Sequence, residues 1–295
     1  MTGTERARGD TLAILKYFAE AQKSVYTPKN LKDILAAHGN TWKIPDSYGV
    51  DRFIELLESR VGLRVASFES GTRQERRLFR GSPSDFEIAA SFVEDGYFSH
   101  QTAAILHSLL QLAPTRFFIN HEQSPKPRST NLNQEAIRLA FSRRPRRSQL
   151  IFRQTQLSNG CEYVMLSGKY SGNAGITQID HPMAGKLRAT NLARTLIDAV
   201  VRPQYVGNSN SLLAIFRAAK SSVGAEEVMK LLASLDYIYP YQQAIGFLMQ
   251  RAEFPEIEYE KLKNLTTSFD FYLHYQMENP VYDSAWKLYY PRDMN

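Results

Sequence analysis

A chain of 295 residues, 43% hydrophobic and 22% charged, is long enough to bury a sizeable core and to divide into two domains. No window offers about 18 apolar residues, so no membrane span is expected. The opening MTGTERARGD lacks the apolar stretch of a signal peptide, and the single cysteine, Cys161, cannot form an internal disulfide, so a cytoplasmic location is expected. The net charge of +6 is uneven: residues 1–153 carry 23 Lys+Arg against 16 Asp+Glu, and residues 154–295 carry 13 against 14. A polyanion partner is therefore expected for the front of the molecule, against the plainer reading of a solvated basic surface.

The first 81 residues read as three short helices and a hairpin. Asp10 or Thr11 caps a helix with Leu12, Leu15, Tyr17, Phe18 and Ala19 on its apolar side. Thr27-Pro28 starts a second, with proline at the first helical position, and Gly39 ends it. A third is expected from Asp46 or Ser47 to Arg60, burying Val50, Phe53, Ile54 and Leu57. Two β-prone runs follow, 63–68 and 76–79. This order describes a winged helix-turn-helix, whose third helix reads the major groove while the hairpin lies on the backbone or in the minor groove. Lys43, Ser47, Tyr48 and Arg52 would then face DNA, with Arg64, Arg73, Arg76, Arg77 and Arg80 gathered on the hairpin. Asp51, Glu55 and Glu58 place negative charge on or near the same helix and restrict the contacting face to its first turn.

Gly81-Ser82-Pro83 reads as a linker, dividing the chain into domains 1–81 and 82–295. Ser84 caps a helix beginning at Asp85. The stretch Tyr97–Asn120 reads as a helix capped by Ser99, carrying Ala103, Leu106, Leu109 and Leu110, stopped by Pro114 and followed by a strand over 116–120. A helix over 133–141 runs into a basic cluster, Arg143, Arg144, Arg146 and Arg147, flanked by Arg138 and Arg153. Such a run can hold phosphates, dock on an acidic partner, or simply be solvated beside a helix C-terminus. His100 and His107 lack companions at ligand spacing, so no metal site is expected.

Beyond residue 154, short runs over 149–156, 161–167, 175–179 and 186–190 predict a small, mainly antiparallel sheet, with Asn159-Gly160 as a hairpin turn. Asn191 caps a helix over 192–201, and helices are expected over 211–219, 225–235, 240–252 and 256–262. Asp198 invites an acid–base or nuclease role, but the i±4 spacing to Arg194 and Arg202 favours an ion pair. Tyr237, Tyr239 and Tyr241 suit either an interface or a core. The aromatic C-terminal segment is expected to pair back onto the sheet. Residues 168–175 are glycine-rich without phosphate-loop spacing, and Cys161 has no activating base, so no enzyme and no cofactor is expected.

The run Tyr97-Phe98-Ser99-His100-Gln101-Thr102-Ala103-Ala104, with His107, Pro114 and the apolar strand after it, resembles the AbiEi-type antitoxins of bacterial type IV toxin–antitoxin pairs. Residues 191–206 and 236–252 resemble them too. The resemblance implies an α+β protein with a DNA-binding winged helix and a larger mixed α/β antitoxin domain. It also implies repression of its own operon through inverted repeats in the promoter, and a nucleotidyltransferase-like toxin as functional partner. The alternatives are a stand-alone transcriptional regulator whose second domain senses a ligand or dimerises, and a nuclease-like enzyme using Asp198.

Overall fold

A computed structural model describes residues 10–127, 132–145, 149–155 and 160–294. The chain is mixed α+β and forms two compact units. The first takes the chain up to Glu94 together with Ile151–Tyr163, and the second takes Asp95–Leu150 and Val164 onward. The expected boundary at 81/82 thus lies inside the first unit, because the helix after the linker packs there.

In the first unit, α1 (Thr11–Glu20) is capped by the Asp10 carboxylate, which accepts from the Ala13 amide at 3.1 Å. Strand β1 (Val25–Tyr26) leads to α2 (Pro28–His38). Thr27 Oγ1 accepts from the Asn30 amide and Asn30 Oδ1 from the Thr27 amide, both at 3.1 Å, a reciprocal cap that satisfies two otherwise orphaned donors. Helix α3 spans Val50–Leu56 and continues as a π-turn over Leu57–Val61, closed by left-handed Gly62. It starts later than expected because the Tyr48 amide donates to the Pro45 carbonyl at 2.9 Å. Ser47 and Tyr48 therefore sit in a turn ahead of the helix, and Gly49 is the cap.

Strands β2 (Arg64–Ser70) and β3 (Arg73–Phe79) pair antiparallel from Arg64↔Phe79 to Ser70↔Arg73, turning through left-handed Gly71. β1 pairs with β3, so the strand order begins β1-β3-β2. Ile14, Phe18, Leu31, Trp42, Phe53, Ile54, Leu57, Leu63 and Leu78 form one core between these helices and strands. Helix α4 (Asp85–Ala90) carries a second reciprocal cap, Ser84 with Glu87.

The second unit contains β4 (Tyr97–Phe98), α5 (His100–Leu106), β5 (Arg116–Glu122) and α6 (Gln134–Ser142). Strands β6 (Gln149–Gln154) and β7 (Glu162–Gly168) begin and end on different sides of the unit boundary. After them come β8 (Ile176–His181), β9 (Gly185–Thr190), α7 (Leu192–Val201), α8 (Ser209–Ala219), α9 (Ala225–Leu235), α10 (Tyr241–Arg251) and α11 (Glu256–Lys263). The chain closes with β10 (Phe271–Tyr272), β11 (Val281–Asp283) and β12 (Leu288–Tyr290).

Here the strand order is β7-β5-β4-β9-β8, and β4 runs parallel to β9. The sheet is larger and more mixed than the small antiparallel one expected. The C-terminal strands form a separate three-stranded sheet, β10-β12-β11, and do not rejoin the first. Helix α5 stops at Leu106, well before Pro114, because Ser108 is left-handed and the Leu109 amide reaches back to the Ala104 carbonyl at 2.8 Å. Ser99 holds the N-cap position, but its hydroxyl takes no backbone N–H of the first turn: it lies 2.8 Å from His100 Nδ1, and His100 itself is left-handed. Asn159 of the expected hairpin turn lies outside the described residues, while Gly160 has the expected positive φ.

Candidate nucleic-acid interface

The residues expected to face a nucleic acid divide into exposed and buried groups. Lys43, Ser47, Arg52, Arg64, Arg73 and Arg76 are exposed, and Tyr48 and Arg80 are partly so. The Arg52 guanidinium lies 4.5 Å from the Tyr48 ring centroid, a stacking geometry that holds it beside the first turn of α3. Arg76 Nη2 donates to Asp51 Oδ1 at 2.5 Å, which ties the hairpin to α3. Arg73 donates through Nε and Nη2 to Glu75 at 3.2 and 3.0 Å. Arg64 donates to the Gly81 carbonyl at 2.9 Å, and Arg80 to the Lys23 carbonyl at 3.4 Å. The Asp51 and Glu75 carboxylates thus stand among the cations. An exposed ion pair of this kind contributes about 0–1 kcal/mol, so an incoming phosphate can exchange with it.

Arg77 is a correction. It is 2% exposed and points to the opposite face of β3 from Arg76. Its Nε donates to Ser91 Oγ at 2.9 Å, its Nη1 to the Arg76 carbonyl at 2.7 Å, and its guanidinium lies 4.5 Å from the Phe92 ring centroid. Burial lowers its pKa and Glu75 opposes that, so it remains a charged group holding α4 to the hairpin. It cannot also face a ligand across the exposed side.

In the second unit Arg143 and Arg144 are exposed, while Arg146 and Arg147 lie outside the described residues. The three stretches that carry the family resemblance converge there on one buried polar network. Arg194 Nε donates to Asp198 Oδ1 at 2.8 Å, as the i,i+4 spacing predicts. Burial works against the Arg194 charge, but Asp198 and the surrounding tyrosine hydroxyls outweigh it and raise its pKa.

Arg194 Nη1 also donates to Ser171 Oγ at 3.2 Å and to the Ala174 carbonyl at 2.7 Å, so the glycine-rich segment wraps over it. The Glu122 carboxylate accepts from the Ser171 amide at 2.9 Å, from its hydroxyl and from the Asn173 amide, which lowers its pKa despite burial. A Cβ on Gly168 would come within 2.6 Å of the Asn120 amide, so only glycine fits that approach.

Asn120 Nδ2 donates to the Tyr97 hydroxyl at 2.5 Å, and burial pushes that phenol up to about 12. Burial likewise pushes His100 down to about 4, while His107 Nε2 sits 2.6 Å from the Thr190 carbonyl oxygen. His100 and His107 thus each have a protein partner. Tyr241 is buried, and Tyr237 and Tyr239, partly buried, pack against the same core. Cys161 lies just before β7 with its thiol 3.6 Å from Asp85 Oδ2, and burial together with that carboxylate pushes it up to about 11. Among the described residues no three His, Cys, Asp or Glu side chains converge as metal ligands would.

Sequence reasoning missed the Tyr97–Asn120 and Glu122–Ser171 contacts, which join residues far apart in the chain. It also missed that Arg153 on β6 comes beside the hairpin: Glu69 of β2 pairs with both Arg153 and Gln74 of β3.

No family model matches the chain, and no curated protein matches it. Among solved structures the chain is similar to the RV2827C protein from Mycobacterium tuberculosis, with a TM-score of 0.56 and 14% identity over 96% of this chain and 94% of that one. At that identity the likeness is one of fold.

Proposed function

We propose that the first unit is a winged helix-turn-helix that binds promoter DNA, and that the protein is an AbiEi-like antitoxin that represses its own operon. The observation that carries this reading is the order α1-β1-α2-α3-β2-β3 with strands arranged β1-β3-β2 and exposed arginines at positions 64, 73 and 76 of the hairpin. That arrangement presents a short helix and a β-ribbon side by side, the two shapes that fit a DNA major groove and the backbone beside it. Arg52, steadied by Tyr48, is suited to a guanine edge or a phosphate. Lys43, Arg64, Arg73 and Arg76 supply sequence-independent phosphate contacts.

The second unit carries the antitoxin effect in this reading. Its support is the resemblance of residues 97–120, 191–206 and 236–252, which supply Tyr97, the Arg194–Asp198 pair and Tyr237, groups close enough to interact electrostatically. The partner is a nucleotidyltransferase-like toxin, opposed without an enzymatic step by this chain.

The test is made in cells. A reporter driven by the DNA upstream of the coding sequence is expected to be repressed by the full chain and released by Arg52→Ala. Growth arrest by a neighbouring nucleotidyltransferase is expected to be relieved by co-expression. Repression without relief would leave a stand-alone regulator, and absence of both would reject the proposal.

A further inference from the structure

In the first unit the hairpin is continued by a third strand. β6 pairs antiparallel with β2 at Phe68↔Gln154 and Glu69↔Arg153, next to the hairpin's turn at Ser70–Arg73. Side chains of directly paired residues share a face, so Gln74, Glu69 and Arg153 form one row across three strands. Arg76 stands on the same face, two residues along β3 from Gln74. The reverse face is packed: Phe68 and Phe152 are buried there, and Phe152 stacks on Phe92 at 5.0 Å.

The exposed row is built around arginine. Glu69 is engaged by Gln74 Nε2 at 3.0 Å. The Arg153 side chain is 62% exposed and its Nη2 bonds to Glu162, just as Arg76 Nη2 bonds to Asp51. A guanidinium has five N–H donors, so each carboxylate steadies the fork and leaves it capacity for a phosphate. Strands lie about 4.8 Å apart, which puts Arg153 roughly 10 Å from the outer strand of the hairpin, beyond a phosphate held by β3.

We propose that β6 is a third strand of the DNA-contacting surface and that Arg153 binds a backbone phosphate, an inference that rests on the winged-helix reading. Arg153 is a positioning contact and carries no sequence preference.

The experiment titrates the full chain, Arg153→Ala and Lys230→Ala on the upstream duplex and on a scrambled duplex over a range of salt. Lys230 belongs to an exposed pair with Glu226 and controls for loss of a positive charge. Arg153→Ala is expected to weaken both duplexes by the same several-fold factor and to make the slope of log K against log salt shallower by about 0.9. Lys230→Ala is expected to match the wild type. If alanine unfolds the chain, Arg153→Gln repeats the measurement with a side chain that can still bond to Glu162. A wild-type slope in a folded Arg153 variant would overturn the proposal while leaving the winged helix intact. Absence of salt-dependent binding by the wild type would overturn both.

Discussion

Arg194 and Asp198 face each other one turn apart on α7, 2.8 Å between Nε and Oδ1, with both side chains at least nine-tenths buried. Removing one member leaves an uncompensated charge in the core. Asp198→Ala is expected to destabilise the protein by about 3–5 kcal/mol, read as a drop in the denaturant midpoint. Replacing both residues by apolar ones of similar volume should cost less, because no charge is then left alone. The folded fraction of Asp198→Ala should bind DNA with the wild-type salt slope. A catalytic Asp198 would instead lose activity without losing stability.

His100 is expected to make the protein acid-sensitive. Burial is the main cause of its low pKa; Asp198 works the other way, and Arg202 and Arg194 add to the lowering. The folded value is about 4 against about 6.5 when unfolded, so the unfolded chain binds the extra proton in between. The stability this group provides is fully present above about pH 6.5 and is lost as pH falls towards 4. At about 1.4 kcal/mol per unit the loss is about 3 kcal/mol. His100→Asn, which tolerates the left-handed backbone, should flatten that part of the pH dependence in unfolding titrations.

Neighbouring arginines on β3 are expected to behave oppositely. Arg73→Ala with Arg76→Ala should weaken binding to selected and scrambled DNA alike, make the salt slope shallower by about 1.8 and leave stability within about 1 kcal/mol. Arg77→Ala should lower the thermal midpoint by an amount equivalent to about 2–4 kcal/mol, since it strips buried hydrogen bonds to Ser91 and contact with Phe92. Its folded fraction should keep the wild-type slope. Equal effects on DNA from both changes would contradict the division into exposed and buried arginines.

Gly246 on α10 touches the C-terminal segment: a Cβ there would lie 2.3 Å from the Trp286 ring. Trp286 is fully buried and its Nε1 donates to Gln250 Oε1 at 2.6 Å, so the ring cannot retreat. Gly246→Ala is expected to cost about 1–3 kcal/mol by overpacking, although alanine favours helix. A neutral or stabilising result in a denaturation curve would show that this contact is looser than described.

What could be read in the sequence was local. The caps at Thr27, Ser84 and Asn191 and the Arg194–Asp198 pair act over three or four residues, and all are present. Ser99 was read rightly as the N-cap residue, but its hydroxyl turns to His100, whose left-handed conformation no propensity of histidine announces. Arg77 was not legible from strand parity, because exposed Arg73 shares its face of β3 while buried Leu78 shares the face of exposed Arg76. The parallel pairing of β4 with β9 and the placement of β6 beside β2 join segments distant in the chain. Local periodicity carries no record of such partners.

The central claim is that the first unit binds DNA, and a gel-shift titration tests it most directly. The full chain is titrated on its own upstream DNA and on a scrambled duplex at two salt concentrations. The account requires tighter binding to the upstream DNA and a steep loss of affinity with salt on both duplexes. Absence of binding, or affinity that ignores both sequence and salt, would contradict it and would turn the arginine-bearing face towards a protein partner.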